Sequence, residues 1–295
     1  MNAIRVCTLG LGRTGREVAK AVLAQQDMKL VAAICSSRNP HLGQDLSAVL
    51  GGRDTGVLLQ AAETLPHSLN HCPVDVAVDF STPEAVLENA PVLAKHGAGI
   101  VVATTGFTDA QLAQLRRIAD RYDAGIVYAP NITLGVNVLM LLTNLATALL
   151  ESYDCTIIET HFKDKKDAPS GTAKKIAEEI KRGREHHANS SKDSEIPIHA
   201  LRVGGVVGRH SVLLAGPSDK IEITHESFSR SVFAQGALKA MRYVVGTRGF
   251  FEMSDVLDLE EVLQRYLSRA GTASHKVFEV SDLPHRLAEA EQISS

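Results

Sequence analysis

Cysteine is scarce in this chain and never closely paired. The four cysteines, Cys7, Cys35, Cys72 and Cys155, form no C-x-x-C pair. That argues against a zinc site and a disulfide framework and fits a reducing, cytoplasmic setting. Cys7 and Cys155 lie in apolar, strand-like runs and read as buried thiols. Long hydrophobic runs are missing too. The longest apolar stretch, 134–150, is interrupted by Asn137, Thr143, Asn144 and Thr147. It therefore reads as a buried helix, not as a membrane span of about 20 apolar residues. No secretion signal is expected from the N-terminal residues, because Arg5 interrupts the first apolar run and a glycine turn follows. Charge of one sign is not in excess. A net charge of −3 gives no global attraction to nucleic acid or to an anionic membrane. No internal repeat is visible. What remains is a globular composition, 44% hydrophobic and 22% charged. At 295 residues the chain is long enough for two domains with cores of their own.

The first half alternates strand and helix patterns. Ile4–Leu9 is a short apolar strand that runs into Gly10-Leu11-Gly12-Arg13-Thr14-Gly15, and a helix pattern follows from Arg16. This is G-x-G-x-x-G between a strand and a helix, the setting of a dinucleotide site. Gly10 allows the tight turn, Gly12 lets the backbone approach a pyrophosphate, and Gly15 lets helix and strand pack closely. The second strand, Lys29–Ile34, ends in Cys35-Ser36-Ser37-Arg38, with Asp45 as the next acid. An NAD site places an acid there for the ribose hydroxyls. Hydroxyls and an arginine suit a 2′-phosphate, so NADPH is the expected cofactor, with NADH the alternative. Further strands at 74–80, 100–103 and 125–128 end in Phe80-Ser81-Thr82-Pro83, Thr104-Thr105-Gly106-Phe107 and Ala129-Pro130-Asn131. Short links between alternating strands and helices predict an α/β fold, a parallel sheet covered on both faces. The carboxyl ends of its strands would then line one ligand crevice.

After Asn131 the pattern changes. The helix at about 135–150 leads to the strand 155–158. Later come the β-rich runs 198–203, 206–207, 211–215 and 220–225, and a helix at 233–245. These predict a second, mostly antiparallel sheet with one face buried against a partner. The expected domains are 1–132 for the dinucleotide, with residues about 241–295 returning to it, and 133–240 for substrate and oligomerisation. The polar run 183–195 reads as a surface loop, and its His186-His187 pair as solvent-facing and not metal-binding. No metal site is expected.

The stretch Glu159–Thr172, ETHFKDKKDAPSGT, gathers a histidine, three lysines and a Pro-Ser-Gly-Thr turn between a strand and an amphipathic helix. Ser170 reads as the helix N-cap, with Gly171 and Thr172 beside it. Unpaired N–H groups and two hydroxyls at a helix start suit a carboxylate or a phosphate. Lys165 offers a positive charge. His161 is a proton donor whose ordinary pKa lies near ~6.5. The plainer reading is a solvated charged loop ahead of a well-capped helix.

With these motifs the chain resembles the 4-hydroxy-tetrahydrodipicolinate reductase (dihydrodipicolinate reductase) family, from about residue 4 to 259. The resemblance rests on the glycine loop with Arg13, on Val78-Asp79-Phe80-Ser81-Thr82-Pro83, on Thr104-Thr105-Gly106-Phe107, and on Ala129-Pro130-Asn131. It rests further on Glu159-Thr160-His161, Lys165-x-Asp167-Ala168-Pro169-Ser170-Gly171-Thr172, Arg202-x-Gly204, Gly208-Arg209-His210, His225 and Ser229-Arg230-x-x-Phe233-Ala234-x-Gly236. It implies a Rossmann-type domain and an α/β domain whose open sheet builds a homotetramer. It implies reduction of a cyclic unsaturated imine dicarboxylate with NADPH or NADH, in lysine and diaminopimelate synthesis. By position His161 would be the general acid and Lys165 would bind a carboxylate and assist the proton transfer. Ser170, Gly171 and Thr172 would hold the other carboxylate, and Thr104 would lie between cofactor and substrate. The expected cofactor contacts are Gly10, Gly12, Arg13, Thr14, Gly15, Ser36, Ser37, Arg38, Phe80, Thr104, Thr105, Ala129, Pro130, Asn131 and Ile132.

The chain departs from that pattern at particular positions. Phe162 stands where the family usually has a second histidine that helps bind substrate, and phenylalanine cannot donate a hydrogen bond. Ala103 replaces the usual glycine before Thr104, the glycine loop is one residue shorter than the commonest form, and the chain runs past the usual end. Two other readings follow. One is a reductase retuned by Phe162 to another cyclic imine or unsaturated acid. The other is a nucleotide-binding regulatory homologue without turnover, against which His161 and Lys165 argue.

Overall fold

The computed structural model describes residues 3–185 and 195–258 and, further on, 261, 262, 264, 265 and 268. The His186-His187 pair and most of the charged tail lie outside the described residues.

The chain begins with β1 (Ile4–Leu9), α1 (Arg13–Leu23), β2 (Met28–Cys35), a short α2 (Ser47–Leu50), β3 (Leu59–Ala61) and α3 (Leu65–His71). It continues with β4 (Val76–Asp79), α4 (Pro83–Lys95), β5 (Gly99–Val102), α5 (Asp109–Tyr122) and β6 (Gly125–Tyr128). These strands pair in parallel in the order β6-β5-β4-β1-β2-β3. Every residue of β4 and β5 is buried, as expected where helices cover both faces of a parallel sheet. Alternate residues feed two cores. Val6, Val76, Val78 and Val101 face α1, while Cys7, Leu9, Ala77, Ile100 and Val102 face α4 and α5. The order reverses between β1 and β4, so the crevice at their carboxyl ends is the topological switch point. The short α2, β3 and α3 escape a reading by periodicity. A three-residue strand carries too little pattern to show period two.

The second layer holds α6 (Leu134–Leu149), β7 (Asp154–His161), α7 (Gly171–Arg184), β8 (Ile198–Arg202), β9 (Gly208–Ala215) and β10 (Lys220–Ser227). Its four strands run in the order β10-β9-β7-β8, antiparallel except for β7 with β8. Ile157, Val212 and Leu214 pack with Val136, Leu139, Ile176 and Ile180, so α6 and α7 cover one face. The opposite face carries Leu201, 51% exposed, opposite Thr160 of β7. The strand that the sequence placed at 155–158 extends to His161, so His161 stands on a strand and not in the loop after it.

The chain then returns to the first sheet. In α8 (Ser231–Val244), Ala237, Met241 and Val244 share a core with Val18 and Val22 of α1. After it, β11 (Gly249–Glu252) pairs in parallel with β6 and completes a seven-stranded sheet, and α9 (Met253–Leu257) follows. The return therefore begins at Ser231, ahead of residue 241. Among the described residues no helix is long and apolar enough to cross a membrane.

Candidate active site

The glycine loop lies at the carboxyl end of β1. Gly10 has a φ of +79°, and a Cβ there would lie 2.6 Å from the backbone of Phe80. A Cβ at Gly15 would lie 1.9 Å from the carbonyl oxygen of Gly10. Both are therefore bound to glycine by close backbone approach. Gly12 differs, since a Cβ there would meet nothing within 4 Å. As N-cap of α1 it supplies no side-chain cap to the first N–H groups of the helix, which have no partner within the helix. A helix N-terminus free of side chains fits the pyrophosphate of a dinucleotide. The other expected contacts end neighbouring strands. Ala129 and Ile132 are buried after β6, and Phe80 follows β4. Thr104, also buried, donates its hydroxyl to the Asp79 carbonyl at 3.3 Å.

Ser36, Ser37 and Arg38 are exposed at the end of β2, beside the glycine loop whose Gly10 N–H bonds the Ile34 carbonyl. Ser36 closes a turn by accepting from the Arg38 N–H at 3.3 Å. Asp45, the next acid, is committed to its own loop. It accepts from the N–H groups of Ser47, Thr55 and Gly56, and the Ser47 and Thr55 bonds hold its carboxyl well below the usual range.

The acid–base centre is a row of side chains across the second sheet. Glu159 and His161 sit two apart on β7 and share its inner face. In register, Glu159 lies opposite His210 on β9, and His161 opposite Arg202 on β8. Glu159 is fully buried and His161 is 7% exposed, whereas Lys163, Asp164, Lys166, Asp167 and Ala168 in the loop beyond them are exposed, as in the plainer reading. Glu159 takes hydrogen bonds from Arg202 Nη2 at 2.7 Å, from the Ser170 N–H at 3.1 Å and from Nδ1 of His161. Burial pushes its carboxyl up. The Arg202 and Ser170 bonds and the charge of His161 outweigh this and leave it below the ordinary value. Burial also lowers the His161 imidazole, Glu159 pulls it back up, and Lys165 and Arg202 lower it further, for a net decrease. Arg202 and the Ser170 N–H, with His161, thus favour the ionised form of Glu159. A side chain at Gly208 would come within 3.2 Å of His161 Nε2, so glycine there leaves that nitrogen accessible. His210 packs edge-on against His161, with ring centroids 5.2 Å apart.

Oxygen and nitrogen atoms of Glu159, His161 and His210 lie within 4.8 Å of one another, a spacing that a cation could bridge. Arg202 and the Ser170 N–H already occupy Oε1 of Glu159, and His161 occupies Oε2. The guanidinium neutralises the carboxylate, and the set reads as a hydrogen-bonded acid–base cluster.

The start of α7 closes the row. Ser170, 2% exposed, caps the helix by accepting from the Ala173 N–H at 3.2 Å, and its hydroxyl lies 3.3 Å from Nε2 of His210. Thr172 donates its hydroxyl to Oδ1 of Asn131 at 2.7 Å, which ties the helix start to the strand end of the first sheet. Both hydroxyls offered to an anion by the sequence are thus engaged within the chain. The N–H groups of Gly171 and Thr172 remain, the first two of the helix, and a Cβ at Gly171 would meet nothing within 4 Å. Lys165 bonds both carboxylate oxygens of Asp167, at 2.7 and 2.9 Å. Phe162 is half-buried beside the guanidinium groups of Arg13 and Arg230.

Glu159, Arg202 and His210 stand in the segments that carry the resemblance but have no role assigned from the sequence. The available signal was an acid two residues before the histidine in an apolar strand. The register that sets them side by side is not written locally.

Comparison with known proteins identifies the family. The family description "Dihydrodipicolinate reductase, N-terminus" matches residues 4–132, and its C-terminal counterpart matches 135–257. A 4-hydroxy-tetrahydrodipicolinate reductase of Methanocaldococcus jannaschii is 38% identical over 271 residues, covering 88% of this chain and 99% of that relative. One from Burkholderia thailandensis is 40% identical over 274 residues, covering 88% and 100%. A dipicolinate-bound dihydrodipicolinate reductase from a Paenisporosarcina species superposes with a TM-score of 0.70 at 29% identity, over 85% of this chain and 97% of that one. An amine dehydrogenase of Mycobacterium smegmatis, with a TM-score of 0.58 at 14% identity over 85% and 95%, shares the fold. Matched along both halves by the family's N- and C-terminal descriptions, and 38–40% identical to curated members over most of its length, the chain belongs to the dihydrodipicolinate reductase family.

Proposed function

We propose that the chain reduces dihydrodipicolinate, a cyclic unsaturated imine dicarboxylate, to tetrahydrodipicolinate in lysine and diaminopimelate synthesis. The observation that carries this reading is the buried row Arg202–His161–Glu159–His210 ending at the open start of α7. A nicotinamide nucleotide on the glycine loop supplies the hydride. The chain's own residues bind, orient and protonate. Glu159 holds Nδ1 of His161, so Nε2 is the nitrogen that gives up the proton. Arg202 lowers the proton affinity of Glu159, so the proton stays on His161 until the substrate takes it. The N–H groups of Gly171 and Thr172, with the Ser170 cap behind them, receive one carboxylate. Lys165, drawn from Asp167, receives the other. Thr104 lies between cofactor and substrate, and Phe162 walls the substrate side.

NADPH is the preferred cofactor in this reading. Ser36, Ser37 and Arg38 are exposed beside the glycine loop, and Asp45 is consumed by its own loop, which leaves the ribose no acid partner there. A cytoplasmic location suits four unpaired cysteines. A homotetramer would cover the outer face of the second sheet, where Leu201 and Val203 are 51% and 55% exposed.

NADPH oxidation with freshly generated dihydrodipicolinate, beside a panel of other cyclic imines, tests the substrate. Phe162 supports the retuned reductase as a second reading, because it removes a donor to a carboxylate. Efficient wild-type turnover, with Phe162→His no better in kcat/KM, eliminates that second reading. Poor wild-type turnover that Phe162→His improves establishes it.

A further inference from the structure

Phe162 follows His161 by one peptide bond, yet its ring belongs to the other half of the molecule. The Arg13 guanidinium stands 5.4 Å from the ring centroid, and that of Arg230 stands 5.8 Å away. Arg13 is the first residue of α1, directly after Gly12, and Arg230 is the residue before α8, which packs alongside α1. Among the described residues neither arginine makes an ion pair with an acid. The two border a cavity of about 610 Å³ whose other polar walls are Arg16, Glu17, Lys20, Ser229 and Ser231. Glu17, the acid in that wall, is paired with Lys20 at 3.3 Å.

Two guanidinium groups gathered at a cavity repel each other and draw in an anion. The negative face of an aromatic ring offsets part of that repulsion and holds each cation in place. Aliphatic side chains of the same bulk lack this quadrupole. The anion is defined by the neighbour: Arg13 abuts the helix N-terminus whose free N–H groups suit a pyrophosphate.

We propose that Phe162 is a positioning residue for the cofactor, which through Arg13 and Arg230 builds a subsite for a phosphate of the nucleotide. This rests on the reading of the glycine loop as the nucleotide site, and it reassigns the ring from the substrate wall to the cofactor. The position that in the family usually donates to substrate here ties the end of the acid-bearing strand to the phosphate clamp.

Dissociation constants for NADPH, NADH and dipicolinate, from fluorescence and calorimetric titration, test it in wild type, Phe162→Leu, Phe162→Tyr, Arg13→Ala and Arg13→Ala/Phe162→Leu. Phe162→Leu is expected to weaken nucleotide binding roughly three- to tenfold, the range of cation–π contacts, with dipicolinate affinity unchanged. Phe162→Tyr keeps the ring face and should bind as wild type. In the Arg13→Ala background, Phe162→Leu should cost much less than it does alone. Equal losses for NADPH and NADH assign the subsite to the pyrophosphate. A loss for NADPH alone assigns it to the 2′-phosphate. The proposal is overturned if Phe162→Leu binds both nucleotides normally, if it weakens dipicolinate alone, or if its effect adds in full to that of Arg13→Ala. Arg13→Ala with unchanged nucleotide affinity overturns it even where Phe162→Leu is defective. A wild type that binds neither nucleotide removes the glycine-loop reading itself.

Discussion

Oε2 of Glu159 accepts a hydrogen bond from Nδ1 of His161, two residues along the same strand and on the same buried face. This fixes which nitrogen is free and adjusts how readily it releases a proton. In the free enzyme the imidazole titrates below its ordinary value, and the charged form is the acid. Wild-type kcat/KM should therefore fall as pH rises through a value below ~6.5. Glu159→Gln removes the charge that favours the imidazolium and should move that limb to lower pH. Glu159→Asp keeps the charge and should move it less. A pH profile of Glu159→Gln that superposes on the wild type would show that Glu159 only holds the fold.

His161→Ala should lower kcat by about 10²–10⁴, the range for loss of a general acid. Nucleotide affinity should persist, because the glycine loop is untouched. Lys165→Ala should worsen both kcat and substrate KM, since it removes a charge aimed at a carboxylate. Steady-state kinetics beside cofactor titration separate the two, and normal turnover in His161→Ala would refute the assignment.

Arg38→Ala should raise KM for NADPH several-fold, as loss of a charge-assisted contact does, with little change for NADH. The comparison is kcat/KM for both cofactors in wild type and variant. Equal wild-type efficiency with both would end the preference.

His210 makes stability depend on pH. Burial, with the charge on neighbouring His161, pushes its pKa down to about 3. The unfolded chain takes up this proton near ~6.5, the folded chain only near 3, so folding gains from a neutral His210 above ~6.5 and loses that gain as pH falls towards 3. The Tm should accordingly drop from pH 7 to pH 5, and His210→Gln, which does not titrate, should show a smaller drop. The same drop in both proteins would acquit His210.

Much of this molecule is legible locally. The glycine spacing between β1 and α1, the strand–helix alternation and the Ser170 cap each depend on residues within a turn or two of one another. Those short-range rules placed the nucleotide loop, the parallel sheet and the α7 start where the structure has them. His161 and Lys165 stand out as candidates in the same local way, because a proton donor and a cation beside a helix start are chemistry written in sequence. Three things were decided only by tertiary structure. The register of β8, β7 and β9 brings Arg202 and His210 to Glu159, and hydrogen bonding between strands distant in sequence sets that register. The hydroxyls of Ser170 and Thr172 are engaged by Ala173 and Asn131, which leaves the backbone N–H groups of Gly171 and Thr172 as the donors at the start of α7. The Phe162 ring meets Arg13 and Arg230 because packing of α8 on α1 places them there. Periodicity tells a chain which face of an element is buried. It cannot say which distant residue is buried against it, and in this protein that choice determines which groups surround His161 and Glu159.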